Sequence, residues 1–247
     1  DKTELVYRLT HTDQVYFLSR PRRFGKSLLV STLEAYFQGK KDLFRGLAME
    51  RLEQDWESYP VLHIDFSISK YLSAHYLRSA INWFLERWER EYGCCVEDKK
   101  GTPFSVRLGN VIESAYKKTG KAVVVLVDEY DSPMLDTNSD VALQGELRGI
   151  MRDFFSPLKG MGQYLRFLFI TGISKFSQMS IFSELNNLQN ISMRDDFSAI
   201  CGTPEEALAQ IDSKQYAVPY QADGRRVVKV GVNFDSATRT IGEWIVR

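Results

Sequence analysis

The stretch VYFLSRPRRFGKSLLVSTLEAYF, residues 15–37, decides the fold. It opens as a short buried strand, Val15–Ser19, crosses a basic loop that closes on Gly25, Lys26 and Ser27, and continues as a helix to Phe37. Leu28, Leu29, Leu33, Tyr36 and Phe37 give that helix an apolar stripe, and Gly39 stops it. A strand–loop–helix of this kind suits phosphate. The helix N-terminus offers unpaired backbone N–H groups and partial positive charge, the lysine adds a mobile full charge, and the serine hydroxyl can reach Mg²⁺.

Working outward, the chain alternates strand and helix. Leu5, Val6 and Leu9 predict a short helix ahead of the first strand. Residues 61–66, VLHIDF, read as a second buried strand, and Leu77, Ile81, Phe84, Leu85 and Trp88 as one face of a helix over 74–92. Trp83 and Tyr92 share the helical spacing, so the aromatic residues here are expected in the core. Val106, Val111, Ile112 and Ala115 mark the inward face of a helix over 105–118. Residues 122–127 form a continuous apolar run, as a central parallel strand covered on both faces requires. A helix over 140–155 and a strand over 165–170 complete the pattern. The expectation is an α/β three-layer sandwich with a mainly parallel sheet and its ligands at the carboxyl ends of the strands.

Three strand ends carry the chemistry. The first departs from the usual G-x-x-x-x-G-K-S/T loop by placing Arg20 where the first glycine belongs. Arg20, Arg22 and Arg23 add charge that suits a polyphosphate, while losing the glycine narrows the loop's access to positive φ. The candidate nucleotide-binding set is Arg20, Pro21, Arg22, Arg23, Phe24, Gly25, Lys26, Ser27 and Leu28. At the second strand end stand Asp128 and Glu129, an aspartate to hold Mg²⁺ with Ser27 and a glutamate to act as base toward water. Tyr130 and Asp131 read as supporting or capping residues. At the third, Thr171 can sense a γ-phosphate or position water, with Ser174 and Lys175 one turn on.

Other readings are weaker. With 32 basic and 32 acidic side chains the formal net charge is zero, so a nucleic-acid role needs a local basic patch. Cys94, Cys95 and Cys201 lack metal or redox spacing, and no signal-peptide or membrane-spanning pattern occurs, which predicts a cytoplasmic setting without membrane partners. The first residue is Asp1 rather than methionine, which leaves room for a preceding segment. His63, inside an apolar run, reads as a packed histidine rather than a ligand, and His11 and His75 stand alone.

These motifs, DKTEL (1–5), FLSRPRRFGKSLL (17–29), VVVLVDEYD (123–131), TGISKFS (171–177), NNL (186–188) and AICG (199–202), resemble those of the bacterial AAA-ATPase-like family. The resemblance spans residues 1–202 and implies a P-loop NTPase fold of the class with an extra strand between the two nucleotide-binding (Walker A and Walker B) strands. It implies ATP and Mg²⁺ as cofactors, Lys26 and Ser27 at the phosphates and Mg²⁺, Asp128 as Mg²⁺ partner, Glu129 as catalytic base and Thr171 as sensor. The preference for ATP over GTP rests on it. It leaves open a homo-oligomer with an arginine finger, for which Arg148, Arg152, Arg166 and Arg194 are candidates.

Beyond residue 202 the pattern changes. Residues 203–247 read as a small α+β segment: a capped helix from Thr203 to about Asp212, then two strands over 225–234 and 239–246. The stretches EEALAQI (205–211) and VVKVGVNF (227–234) resemble the end of a PD-(D/E)XK nuclease-like domain, which implies a nucleic-acid partner. That family's Asp and Glu-x-Lys metal core is not visible, so a linker and nuclease core are expected to be missing at the Gly202–Thr203 junction. Three functions follow: an Mg²⁺-dependent ATPase controlling an appended domain, a nucleotide-binding switch with little hydrolysis, or a nuclease whose catalytic core is absent.

Overall fold

The computed structural model describes residues 1–94, 96–99, 101–137, 140–173, 185, 187–192, 194–202, 204–213, 227–235 and 240–246. Its elements in chain order are α1 (Thr3–Thr12), β1 (Val15–Ser19), α2 (Lys26–Phe37), α3 (Ala48–Leu52), β2 (Val61–Asp65), α4 (Ala74–Tyr92), α5 (Phe104–Thr119), β3 (Val123–Asp128), α6 (Ser132–Leu135), α7 (Val141–Phe155) and β4 (Leu165–Gly172). Then follow β5 (Gln189–Asn190), α8 (Pro204–Ser213), β6 (Val230–Asp235) and β7 (Thr240–Val246).

Five strands pair in parallel in the order β2-β3-β4-β1-β5. Strand β4 therefore lies between β1 and β3, which gives the three-layer P-loop arrangement expected from the sequence. The sheet separates two cores. Val123, Val125 and Val127 of β3 join Leu77, Phe84 and Trp88 of α4 and Leu108 and Ile112 of α5 on one face. Val124 and Leu126 join Leu29 and Leu33 of α2 and Leu9 of α1 on the other. Helices on both faces explain why β3 is apolar without alternation. The smaller sheet is an antiparallel hairpin of β6 and β7, with α8 packed against both strands.

Three expected core positions turn outward. Val106 is 48% exposed, because the inward register of α5 runs through Phe104, Arg107, Leu108 and Val111. Arg107 is buried there because it has partners: Nε and Nη2 bind the Glu89 carboxylate at 2.7 and 3.0 Å, and Nη1 binds Asn82 Oδ1 at 2.5 Å. Trp83 is also half exposed, on the outer face of α4 with the Arg87 guanidinium over its ring. Leu28 is 72% exposed, since it borders a cavity described below. His63 is half-buried, and its Nδ1 lies 2.8 Å from Glu34 Oε2, tying β2 to α2. This hydrogen bond holds the Glu34 carboxyl below the usual carboxylate range.

The Arg107–Glu89 pair gives a direct test of packing. Both side chains are buried, so removing Arg107 strips the Glu89 carboxylate of its two close bonds and leaves it buried with the Lys99 ammonium 4.0 Å away. Arg107→Ala is expected to cost about 3–5 kcal/mol in denaturant unfolding. Replacing the pair together, Arg107→Met with Glu89→Leu, should recover most of that loss.

Candidate functional site

The site is built where β1, β4 and β3 end side by side. Leu18 pairs with Thr171 and Ser19 with Gly172, while Val127 pairs with Ile170. This register sets Thr171 between the start of the phosphate loop and Asp128. The Arg20 N–H donates to Gly172 O at 3.1 Å and the Tyr130 N–H to Thr171 O at 2.9 Å, so both flanking loops hang on the end of β4.

The phosphate loop follows β1. Its left-handed residues are Arg23 (φ 69°) and Gly25 (φ 79°). Arg20 is not among the positive-φ residues, so the steric cost expected from losing the first glycine does not fall at that position. Gly25 caps α2, and a Cβ placed on it would meet nothing within 4 Å. Among the described residues no side chain caps α2, and no acidic residue lies in its first turn, so its N-terminal amides keep their positive end.

Lys26 is buried, and its side chain folds back over its own loop. Its Nζ donates to Pro21 O at 3.2 Å and lies 3.4 Å from Glu129 Oε1. Ser27, Arg22 and Arg23 are exposed, and Pro21 and Phe24 are half-buried. The Arg20 guanidinium is engaged elsewhere, donating to the carbonyls of Ser19 and Ser192, and burial lowers its pKa.

Asp128 is buried at the end of β3. Its Oδ1 accepts the Thr171 hydroxyl, and also the Glu129 N–H at 3.0 Å. Glu129 has a φ of 52°, a conformation few residues other than glycine, asparagine or aspartate adopt, and it places the carboxylate against Lys26. Thus Lys26, Asp128, Glu129 and Thr171 converge from three separate strand ends.

Two supports stand behind Thr171. Gly172 lies so close to Tyr130 that an added Cβ would sit 2.5 Å from the ring and 2.6 Å from Asp131 Oδ1. Tyr130 itself is buried edge-on against Phe17, and burial pushes its hydroxyl pKa up. Asp131 is buried and accepts the Ile173 N–H at 2.9 Å, holding the chain just past Thr171. Tyr130 and Asp131 read from the sequence as supporting or capping residues, but their close packing on Gly172 has no signal there beyond the Thr-Gly pair after an apolar strand. Ser174 and Lys175 lie outside the described residues. Of the candidate finger residues, Arg166 donates to Thr10 O and stacks over Phe37 and Tyr59, and Arg194 pairs with Asp196.

Beside the loop lies a cavity of about 530 Å³, lined by Val6, Phe24, Leu28, Leu29, Leu47 and Ile200 among others. It is large enough for a nucleoside and mostly apolar, with the buried Cys201 thiol on its wall. Burial raises the pKa of that thiol to about 11. The residues present fit a nucleotide with Mg²⁺: open space beside Gly25, a buried lysine, and hard oxygen donors from Ser27 and Asp128. Among the described residues no three His, Cys, Asp or Glu side chains converge on a metal position. Mg²⁺ usually takes only one or two protein ligands beside phosphates and water.

A parallel sheet in this order, with a G-K-S loop on one strand and an Asp-Glu pair two strands away, defines a P-loop-like α/β protein. The chain belongs to the family described as "Predicted AAA-ATPase", whose model matches residues 1–182. The PD-(D/E)XK nuclease superfamily model matches residues 184–244. A curated protein of Azotobacter chroococcum mcd 1, described as "Uncharacterized protein in vnfD 5'region", is 40% identical over 206 residues, covering 83% of this chain and 39% of that protein. The chain therefore spans well under half the length of this relative. No solved structure matches.

The Gly172–Tyr130 contact predicts a specific defect. Gly172→Ala should displace Tyr130 and cost roughly 1–3 kcal/mol in thermal or denaturant unfolding, as overpacked core sites do. Gly149→Ala, where an added Cβ has open space, should not destabilise the chain.

Proposed function

We propose that the chain is an Mg²⁺-dependent ATPase unit whose nucleotide state controls its nuclease-like segment. The observation that carries this reading is the convergence of Lys26, Asp128, Glu129 and Thr171 beside the open N-terminus of α2. In this reading residues 1–202 form the nucleotide domain and 203–247 the end of the nuclease-like one. Nucleic acid is then the partner of that second part. A cytoplasmic setting and a homo-oligomer fit the same reading. Among the described residues, no helix is long and apolar enough to cross a membrane.

The proposed division of labour follows from the geometry. The amides from Gly25 to Leu28 and the Lys26 ammonium bind the phosphates, with exposed Arg22 and Arg23 drawing the polyphosphate toward the loop. Ser27 and Asp128 hold the Mg²⁺, whose contribution when bound is to neutralise charge on the phosphates. Thr171 fixes the Asp128 carboxylate through its hydroxyl. Glu129 leaves Lys26 when phosphate takes over that charge, and its carboxylate then accepts a proton from the attacking water. The apolar cavity beside Leu28 holds the nucleoside, and adenine is assigned from the family.

The second reading, a nucleotide-binding switch with little hydrolysis, draws on the same Lys26–Glu129 contact. A carboxylate held on the lysine, on a strained backbone, is not aimed at water. Turnover separates the two.

Thermal unfolding with Mg–ATP tests binding. Nucleotide at about 100 times its dissociation constant should stabilise the chain by about 2.7 kcal/mol. Lys26→Ala should remove that shift, and an unchanged melting temperature at millimolar nucleotide contradicts both readings. Glu129→Gln should keep the shift and lose turnover, whereas undiminished turnover removes Glu129 from the base role.

A further inference from the structure

The segment leading from the candidate nucleotide site to α8 is bonded to the phosphate loop at both of its ends. Gln189 and Asn190 extend the sheet beside Tyr16 and Phe17, and the Ile191 N–H donates to Phe17 O at 2.9 Å. Next in line, Ser192 is buried. Its Oγ accepts the Ser19 N–H at 2.8 Å, and its carbonyl accepts from the Arg20 guanidinium. These contacts fix the start of the loop. At the far end, the Gly202 N–H donates to Phe24 O at 2.9 Å, and the Lys2 ammonium donates to the Cys201 carbonyl. Between the two ends, Phe197, Ile200 and Cys201 are buried with α1 and α2.

The Phe24–Gly202 contact acts on the loop directly. The Phe24 carbonyl and the Gly25 N–H belong to one planar trans peptide, so they point in opposite directions. Holding the carbonyl toward Gly202 turns the Gly25 N–H to the other side of the loop. The fit at Gly202 is tight: a Cβ there would lie 3.3 Å from the Phe24 ring, which would have to give way slightly. Two positions later α8 begins.

We infer that residues 189–202 form the transmission element between nucleotide and the nuclease-like segment, with the Ser19–Ser192 and Phe24–Gly202 contacts linking occupancy of the loop to the position of α8. The inference rests on the nucleotide reading above. A shift of the loop around phosphate moves Ser19 and Phe24, and both are tied to the strap that leads into α8. The coupling is reciprocal: whatever pulls the strap off Ser19 and Phe24 from the α8 side also weakens nucleotide binding.

Hydrogen exchange on the full chain, with and without saturating Mg–ADP, tests this. Nucleotide is expected to slow exchange at residues 20–29 and also at 204–213. Ser192→Ala removes the acceptor for the Ser19 N–H, and Gly202→Pro removes the donor to Phe24. In both variants protection at 20–29 should persist at saturation while protection at 204–213 is lost, and nucleotide affinity should fall by at least about fivefold. Should Gly202→Pro fail to fold, Gly202→Ala perturbs the same contact by crowding Phe24. Protection confined to 20–29 in the native chain, or retained at 204–213 in the variants, overturns this inference and leaves the nucleotide reading standing. No protection at 20–29 overturns both.

Discussion

The structure depends on one constraint, the in-register parallel pairing of β4 between β1 and β3. It sets three strand ends flush, so that Thr171 can donate to Asp128 while the backbone at 171–172 receives the N–H groups of Tyr130 and Arg20. A shift of one residue in β4 would turn every side chain of that strand to the other face. Phe167 and Phe169 would leave one core for the other, and Thr171 would face away from Asp128. The two aromatic-rich cores thus hold the register, and the register holds the site. Gly172 is where this constraint is tightest, since Tyr130 and Asp131 fill the space a side chain would take.

Much of this was legible in the sequence. An unbroken apolar run such as residues 122–127 demands cover on both faces, and a G-K-S motif after a buried strand defines where a helix begins. Those two facts placed Lys26 and Asp128 at the same edge of the sheet. What could not be read was which side chains touch across the sheet. The Lys26–Glu129 contact depends on a left-handed backbone at Glu129, which nothing in a glutamate announces. Arg20 read as a phosphate ligand from its place in the loop, yet its guanidinium is bonded to Ser19 and Ser192, the latter 172 residues away in the chain. The outward positions of Val106 and Trp83 have a similar cause. Helical periodicity fixes an apolar face only to within a residue or so: Val111, Ile112 and Ala115 of α5 are buried as expected, while the buried Arg107, paired with Glu89, takes the inward place beside Val106.

The junction between the two matched families is also more closely built than composition suggested. The sequence pattern changes after Gly202, and the residues before it are bonded to the phosphate loop and buried in the first core. The nuclease superfamily match begins at residue 184, ahead of this strap, so the segment physically attached to the P-loop sheet lies inside the second match. One stretch of chain thus serves both modules.

The ends of β1, β3 and β4 are proposed to form a single nucleotide site. A structure of the chain with Mg²⁺ and a non-hydrolysable ATP analogue tests it most directly. The polyphosphate is expected against the amides of Gly25 to Ser27, with Lys26 released from Glu129, Mg²⁺ held by Ser27 and Asp128, and the base in the cavity beside Leu28. Nucleotide bound away from Lys26, or with Lys26 still on Glu129, would contradict it.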